Sequence, residues 1–379
     1  MKNYRSKLTL LTALVVFTQA SCTWMDSAVS AFTGIVGLSD TATVISKTAQ
    51  IRTSYAVVAA DLLEVKRGER LDVIDKMEFE RTLWYRVRAH DEADTEGWIE
   101  AQHVITSETL EKSKKLAEGF KDLPAQASGQ IRARSNLRLA ADLNPESILF
   151  KLESGANFDI MDWKFVPKEE APDVDDASKG EEAGKIRRKN ADVEAARIQG
   201  EPEKLDEKYD IWYLVKLDPS VSPAPAGWLF GRQVELQVPS EIVFFQQNNR
   251  KFVTWQRLDS ESASVSTGRS ATPGNWVILT RTNVVKAIDG VEPDFDGILV
   301  LAFDKYDQSY YTVWRSSGEV WGTLPLRVDG QGDNKTFTVS LRHPEGRVDD
   351  KRFVVFRDKS RIKLTPPEDI AQYQAMRSR

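Results

Sequence analysis

Apolar and polar residues alternate in short runs along most of the chain, each run closed by Gly, Asp, Asn or Pro, and this period of two predicts strands. The runs AQIRTS, VKRGERLDVID, LWYRVRAHD and EGWIEAQHV lie between residues 49 and 104, and SNLRLA, LESGANFDIMD, IWYLVKLD and AGWLFGRQV follow the same scheme between 135 and 234. Four anchors recur in order: Arg52 and Arg138, Gly68 and Gly155, Trp84-Tyr85 and Trp212-Tyr213, Gly97-Trp98 and Gly227-Trp228. From Arg to Gly the spacing is 16 residues in the first copy and 17 in the second, and from Trp to Gly it is 13 and 15. Order, spacing and residue type coincide, so the chain holds an internal repeat. Each copy predicts four or five short strands, enough for a small barrel over residues 40–106 and 127–238. Trp98 and Trp228 are expected at equivalent core positions beneath their own sheets.

Between the copies, SETLEKSKKLAEGFKDL sets Leu110, Leu116 and Phe120 among charges behind Ser107 and Glu108, which suit a helix start, so 107–126 reads as a linker helix. The second copy is interrupted between Phe165 and Tyr209 by a stretch dense in charge and without aromatics. Such a composition buries too little apolar surface to offset its ordering entropy. A disordered insertion at about 167–208 is expected, with a short helix around Ala183 to Ile198; it is either simply solvated or a docking site.

From residue 239 to 366 the runs EIVFFQQ, KFVTWQRLD, NWVILTRT, GILVLAFDK, SYYTVWRS, EVWGTLPLRVD, KTFTVSLRH and RFVVFRDKSRIKL are separated by turn-forming residues. They predict seven to eight antiparallel strands, closed as a barrel or packed as a sandwich. Residues 367–379 read as a tail with a short helix. The whole chain is therefore expected to be mainly β, two small barrels followed by a 7–8-stranded antiparallel domain.

The segment YYTVWRSSGEVWGTLPLRV, 310–328, predicts a hairpin. A two-residue turn at Ser317-Gly318 would set Trp314 opposite Trp321. A three-residue turn with Gly318 left-handed would set Val313 opposite Trp321 and Arg315 opposite Glu319. In both registers Trp321, Thr323 and Arg327 share the more polar face. Trp321 and Arg327 are thus candidate contacts for a ligand or partner, with packing of Trp321 against the neighbouring barrel as the alternative.

The recurring strand ending in Arg, the glycine turn leading into an alternating strand, the Trp-x-x-Val motif and the Gly-Trp pair resemble bacterial SH3-like (SH3b) domains. The resemblance spans about half of the chain. It implies small barrels that bind peptidoglycan or peptide segments of envelope partners.

The amino-terminal segment has Lys2, Arg5 and Lys7 ahead of an apolar core from Leu8 to Phe17, then Ala20, Ser21 and Cys22, the chain's one cysteine. This layout resembles a bacterial lipoprotein signal over residues 1–21, with Cys22 as the acylated residue and 22–39 as a tether. Thr23 does not resemble the Asp that commonly retains such proteins at the inner membrane, so the outer membrane facing the periplasm is the expected site. The alternative is an ordinary cleaved signal that leaves Cys22 a free thiol.

Charge and composition narrow the function further. With 52 Lys and Arg against 57 Asp and Glu the net charge is -5, which lacks the basic footprint of a nucleic-acid binder. A hydrophobic content of 41% supports real cores. No thiol chemistry is available beyond Cys22, and His90, His103 and His343 show neither His-x-His nor His-x-x-x-His spacing. The acidic turn DGVEPDFDG holds Asp289, Glu292, Asp294 and Asp296 but lacks the twelve-residue loop of a strong calcium motif. No catalytic residue, metal or cofactor is implied. The reading is a lipid-anchored envelope binding protein that is not an enzyme. The alternatives are a carrier of a small apolar ligand in the C-terminal β domain and an uncharacterised envelope hydrolase.

Overall fold

The computed structural model of the protein describes residues 40–168, 202–247, 249–259, 273–332 and 334–374. These residues are mainly β, in four antiparallel sheets. The chain divides into two compact units, residues 1–107 and 108–379. The expected amino-terminal signal, Cys22 and the expected tether, together with the expected helix at Ala183–Ile198, lie outside the described residues.

The first unit is one seven-stranded sheet made of β1 (Asp40–Val44), β2 (Thr48–Arg52), β3 (Asp61–Lys66), β4 (Arg70–Phe79), β5 (Thr82–Ala89), β6 (Glu96–Glu100) and β7 (Val104–Thr106). Its strand order is β3-β2-β6-β5-β4-β1-β7. Alternation sends Ile51, Leu71, Val87 and Ile99 into one core, each at most 1% exposed.

The second unit opens with helix α1 (Ser107–Glu118) and then repeats that sheet. Its strands are β8 (Ala127–Ile131), β9 (Ser135–Arg138), β10 (Ile148–Leu152), β11 (Asn157–Pro167), β12 (Tyr209–Lys216), β13 (Ala226–Phe230) and β14 (Val234–Leu236). The order β10-β9-β13-β12-β11-β8-β14 is that of the first sheet, strand for strand. Leu137, Phe158, Val215 and Leu229 are buried at the positions of Ile51, Leu71, Val87 and Ile99. Both repeat glycines are left-handed, Gly68 at φ 89° and Gly155 at φ 84°.

Trp98 and Trp228 do occupy equivalent positions, opposite Arg52 and Arg138, but neither is a core residue. Gly97 and Ile99 point inward, so the ring between them points outward, as Trp228 does between Gly227 and Leu229. Trp98 meets Tyr55 edge-on at 5.2 Å. Trp228 packs instead against a cluster of Phe120, Met161, Leu214 and Ala226. The expected linker helix is present and docks on the second barrel through that cluster, where the Ser113 hydroxyl donates to the Ala226 carbonyl at 2.6 Å. At the positions of Leu214 and Ala226 the first barrel has Arg86 and Glu96, which pair at 3.1 Å, so an ion pair stands where the second barrel receives the helix.

The expected insertion is narrower than 167–208. Strand β11 runs to Pro167, and the short helix α2 (Leu205–Lys208) is already packed, with Leu205 only 5% exposed. Asp206 exchanges hydrogen bonds with Asn283, its N–H donating to Oδ1 at 3.1 Å and its Oδ1 accepting from Nδ2 at 2.8 Å.

The C-terminal region forms two four-stranded meanders. The first contains β15 (Arg250–Arg257), β16 (Trp276–Thr282), β17 (Gly297–Asp304) and β18 (Ser309–Arg315). The second contains β19 (Gly322–Gln331), β20 (Asn334–Arg342), β21 (Val348–Asp358) and β22 (Arg361–Thr365). They share a core: Trp314 and Phe353 meet at 5.3 Å, and the Tyr311 hydroxyl accepts from the Ile362 N–H at 2.8 Å. Trp255, Trp276, Phe295, Phe337 and Phe353 are all fully buried and fill the interior of this region.

The short helix expected in the tail is present: α3 (Ile370–Tyr373) seats Tyr373 with no exposure. Two local expectations are corrected. EIVFFQQ is not a strand; Val243–Phe245 form a 3-10 turn. The 310–328 hairpin does not form: Trp314 pairs with Val300 and Gly322 with Leu341, so the segment crosses from one sheet to the other. Gly318 is not left-handed; a side chain there would meet the Gln374 carbonyl at 2.6 Å, so glycine serves close approach of the C-terminal segment.

Candidate functional site

In an antiparallel meander the start of one strand lies beside the end of the next. The first C-terminal sheet therefore gathers at one edge the beginning of β15 with Arg250, the end of β16 with Thr280, the beginning of β17 with Gly297, and the end of β18 with Arg315. The crossing segment Ser316–Glu319 closes this edge on one side and Phe245 with Gln247 on the other, leaving a cleft of about 260 Å³.

Behind the cleft lies a buried ionic network. Asp296, with no exposure, accepts from Arg250, from Arg281 at 3.2 Å, from Lys286 at 2.5 Å, and from the N–H of Thr282 at 3.1 Å. Arg281 also pairs with Glu292 at 2.7 Å, and Glu319 is held by Arg250 at 3.1 Å and Lys286 at 2.8 Å. Burial pushes the Asp296 carboxyl up, but hydrogen bonds from Lys286 and Thr282 and the charges of Lys286 and Arg250 hold it below the usual range. Three cations thus face three carboxylates, and the network locks the cleft floor.

Arg315 stands apart from that balance. It is exposed at the cleft mouth and forms no ion pair among the described residues. Beside it the Ser316 oxygen accepts from the Ile298 N–H at 3.2 Å, which leaves its proton to donate outward. Phe245 forms an aromatic side of the cleft and is propped edge-on against Tyr310 at 5.8 Å, while the preceding Phe244 is 87% exposed.

The residues singled out from sequence fall elsewhere. The Trp321 ring is 5% exposed, its indole donating to the Lys286 carbonyl at 3.3 Å and its face covered by Arg342 at 5.4 Å. Arg327 is exposed on β19 and does not meet Trp321's surroundings, because the β19–β20 register shifts between Thr323 and Arg327 and breaks the alternation that put them on one face. The carboxylates of the acidic turn are bound by protein donors: Asp289 by Arg342 at 2.5 Å, Glu292 and Asp296 in the network, and Asp294 by the Trp163 indole at 3.0 Å and the Leu324 N–H at 2.8 Å. Among the histidines, His90 lies 3.3 Å from Asp72 and His103 2.8 Å from Ser46 Oγ, each with its own partner.

Sequence reasoning missed the cleft. Arg250, Arg315 and Glu319 are scattered over two strands and a crossing segment, and only the correct strand pairing brings them together. No protein-family model matches the chain, and no curated protein matches it.

Proposed function

We propose that the protein is a lipid-anchored binding protein of the bacterial cell envelope, attached through acyl chains on Cys22 at the outer membrane, facing the periplasm, and not an enzyme. Its SH3-like repeat engages peptidoglycan or envelope protein partners. The observation that carries this reading is the identical order of seven strands in two sheets whose anchors recur in sequence. Duplicated small barrels with differing outer faces suit a scaffold in which one module's apolar face is covered by α1 while the other carries an ion pair at the matching place. The polar cleft adds a concave site with charged donors on a rigid sheet edge.

The reading is tested by sedimenting the mature protein with purified peptidoglycan, and by labelling cells with a fatty-acid analogue. Co-sedimentation above a bovine albumin control and label on the wild type but not on Cys22→Ser are the expected results. Label retained on Cys22→Ser overturns the anchor, and sedimentation no greater than that of albumin overturns the peptidoglycan partner.

A further inference from the structure

We propose that the cleft between Arg250, Phe245 and the Ser316–Glu319 segment binds the free carboxylate of an extended peptide, with Arg315 as its charge partner. The proposal rests on the envelope-binding reading for its biological setting, but its physical argument is separate.

The network behind the cleft is self-neutralising, with Arg250, Arg281 and Lys286 against Asp296, Glu292 and Glu319. Arg315 adds one cation at the mouth, and among the described residues it has no carboxylate partner. Its planar fork matches a carboxylate, which can accept two parallel N–H donors. The Ser316 hydroxyl proton and the Gln247 carboxamide line the same space and supply further donors.

Two features narrow the anion to a monoanion. Glu319 lines the same cleft and keeps a third of its side chain accessible, so a phosphate dianion would meet it with twice the repulsion of a carboxylate. A flat two-oxygen group also suits one guanidinium better than a tetrahedral one. The aromatic side at Phe245 gives apolar cover to the residue next to the carboxylate. A peptide terminus presents both parts, whereas free acetate presents only the first.

Peptide carboxylates of this kind occur on peptidoglycan stems, ending in D-alanine, and on protein C-termini. Both are tested by calorimetric titration of the mature protein. The probes are N-acetylated Lys-D-Ala-D-Ala as free acid, the same peptide as C-terminal amide, and N-acetylated Lys-L-Ala-L-Ala as free acid.

The wild type should bind at least one acid about tenfold or more tightly than the amide, and Arg315→Gln should remove that preference, as expected for loss of a charged hydrogen-bonded pair. Arg315→Lys should keep part of it, and Arg327→Gln should leave it intact. Preference for the D-acid identifies a peptidoglycan stem, and equal or better binding of the L-acid identifies protein termini; either upholds the site. Equal affinity for acid and amide, or an Arg327→Gln loss as large as that of Arg315→Gln, overturns it.

Peptidoglycan sedimentation separates this proposal from the broader one. If Arg315→Gln sediments as the wild type does and acid and amide bind alike, the cleft assignment fails while the envelope reading stands. If acid selectivity is present and lost in Arg315→Gln without any sedimentation, the cleft stands and the peptidoglycan partner fails.

Discussion

The indole N–H of Trp163, on β11 of the second barrel, donates to Asp294 Oδ1 at 3.0 Å, and the other carboxylate oxygen accepts from the Leu324 N–H at the start of the second C-terminal sheet. One side chain therefore joins three pieces of the second unit. Burial pushes Asp294 up to about 7, the nearby Asp162 adds to the rise, and its two hydrogen bonds and the Arg281 charge oppose it.

A carboxyl whose folded pKa exceeds its unfolded one is most favourable below the unfolded value, and that contribution is lost as pH rises through the folded value. The wild-type melting temperature should accordingly fall between about pH 4 and pH 7, with up to about 4 kcal/mol at stake. Asp294→Asn should flatten this slope, leaving the shallower one from Asp159 and Asp162, which burial also pushes up. Thermal melts from pH 4 to 8 check it; parallel curves for the two proteins would contradict the assignment.

Gln126 ties the second barrel to the same sheets by pairing like a strand residue. Its Oε1 accepts from the Leu326 N–H at 2.8 Å, and its Nε2 donates to the Leu326 carbonyl at 3.2 Å. The side chain is fully buried, and Gln256 Nε2 adds a bond to the same carbonyl at 3.1 Å. Gln126→Ala leaves the Leu326 N–H unsatisfied and should destabilise the second unit by about 2 kcal/mol. Urea unfolding of wild type and variant measures the difference.

Gly97 and Gly227 fill the same role in the two sheets. A methyl group on Gly97 would meet the Arg52 carbonyl at 2.5 Å, and one on Gly227 would meet Leu137 Cγ at 2.5 Å. Each Gly→Ala change should cost about 1–3 kcal/mol through overpacking. Because they lie in separate compact units, the double variant should show the sum. Chemical denaturation of the three variants tests the equivalence of the repeats.

Arg281 is 4% exposed and binds both Glu292 and Asp296. Arg281→Met removes one partner and leaves buried carboxylates short of a cation, at an expected cost of about 3–5 kcal/mol. The loss should be smaller in acid, because Asp296 is held below its ordinary range and stabilises the fold only where it is ionised, an effect lost as pH falls through that lowered value. Denaturation at pH 7 and pH 3 compares the two.

The repeat was legible because strand alternation and turn glycines are local properties: Ile51 and Leu137 fall inside for the same reason of period two, and Gly68 and Gly155 turn left-handed at the same place. The same alternation, read through, also gives the outward direction of Trp98 between Gly97 and Ile99. Size and hydrophobicity alone argue for burial and mislead there. The docking of α1 was written less openly, in the contrast between Leu214 with Ala226 and Arg86 with Glu96 at matching positions.

The sequence by itself determined the β class and the duplication, since each follows from residue type and short-range spacing. Only the tertiary structure decided which strands pair. It turned the 310–328 segment from a hairpin into a crossing between two sheets, carried Trp321 into the interior and collected Arg250, Arg315 and Glu319 at one sheet edge. The reason is that hairpin and crossing satisfy the same local alternation. The choice between them rests on long-range terms, the Phe295 backbone bonded to Gly322 and the ionic network that holds Glu319, which no stretch of nineteen residues contains.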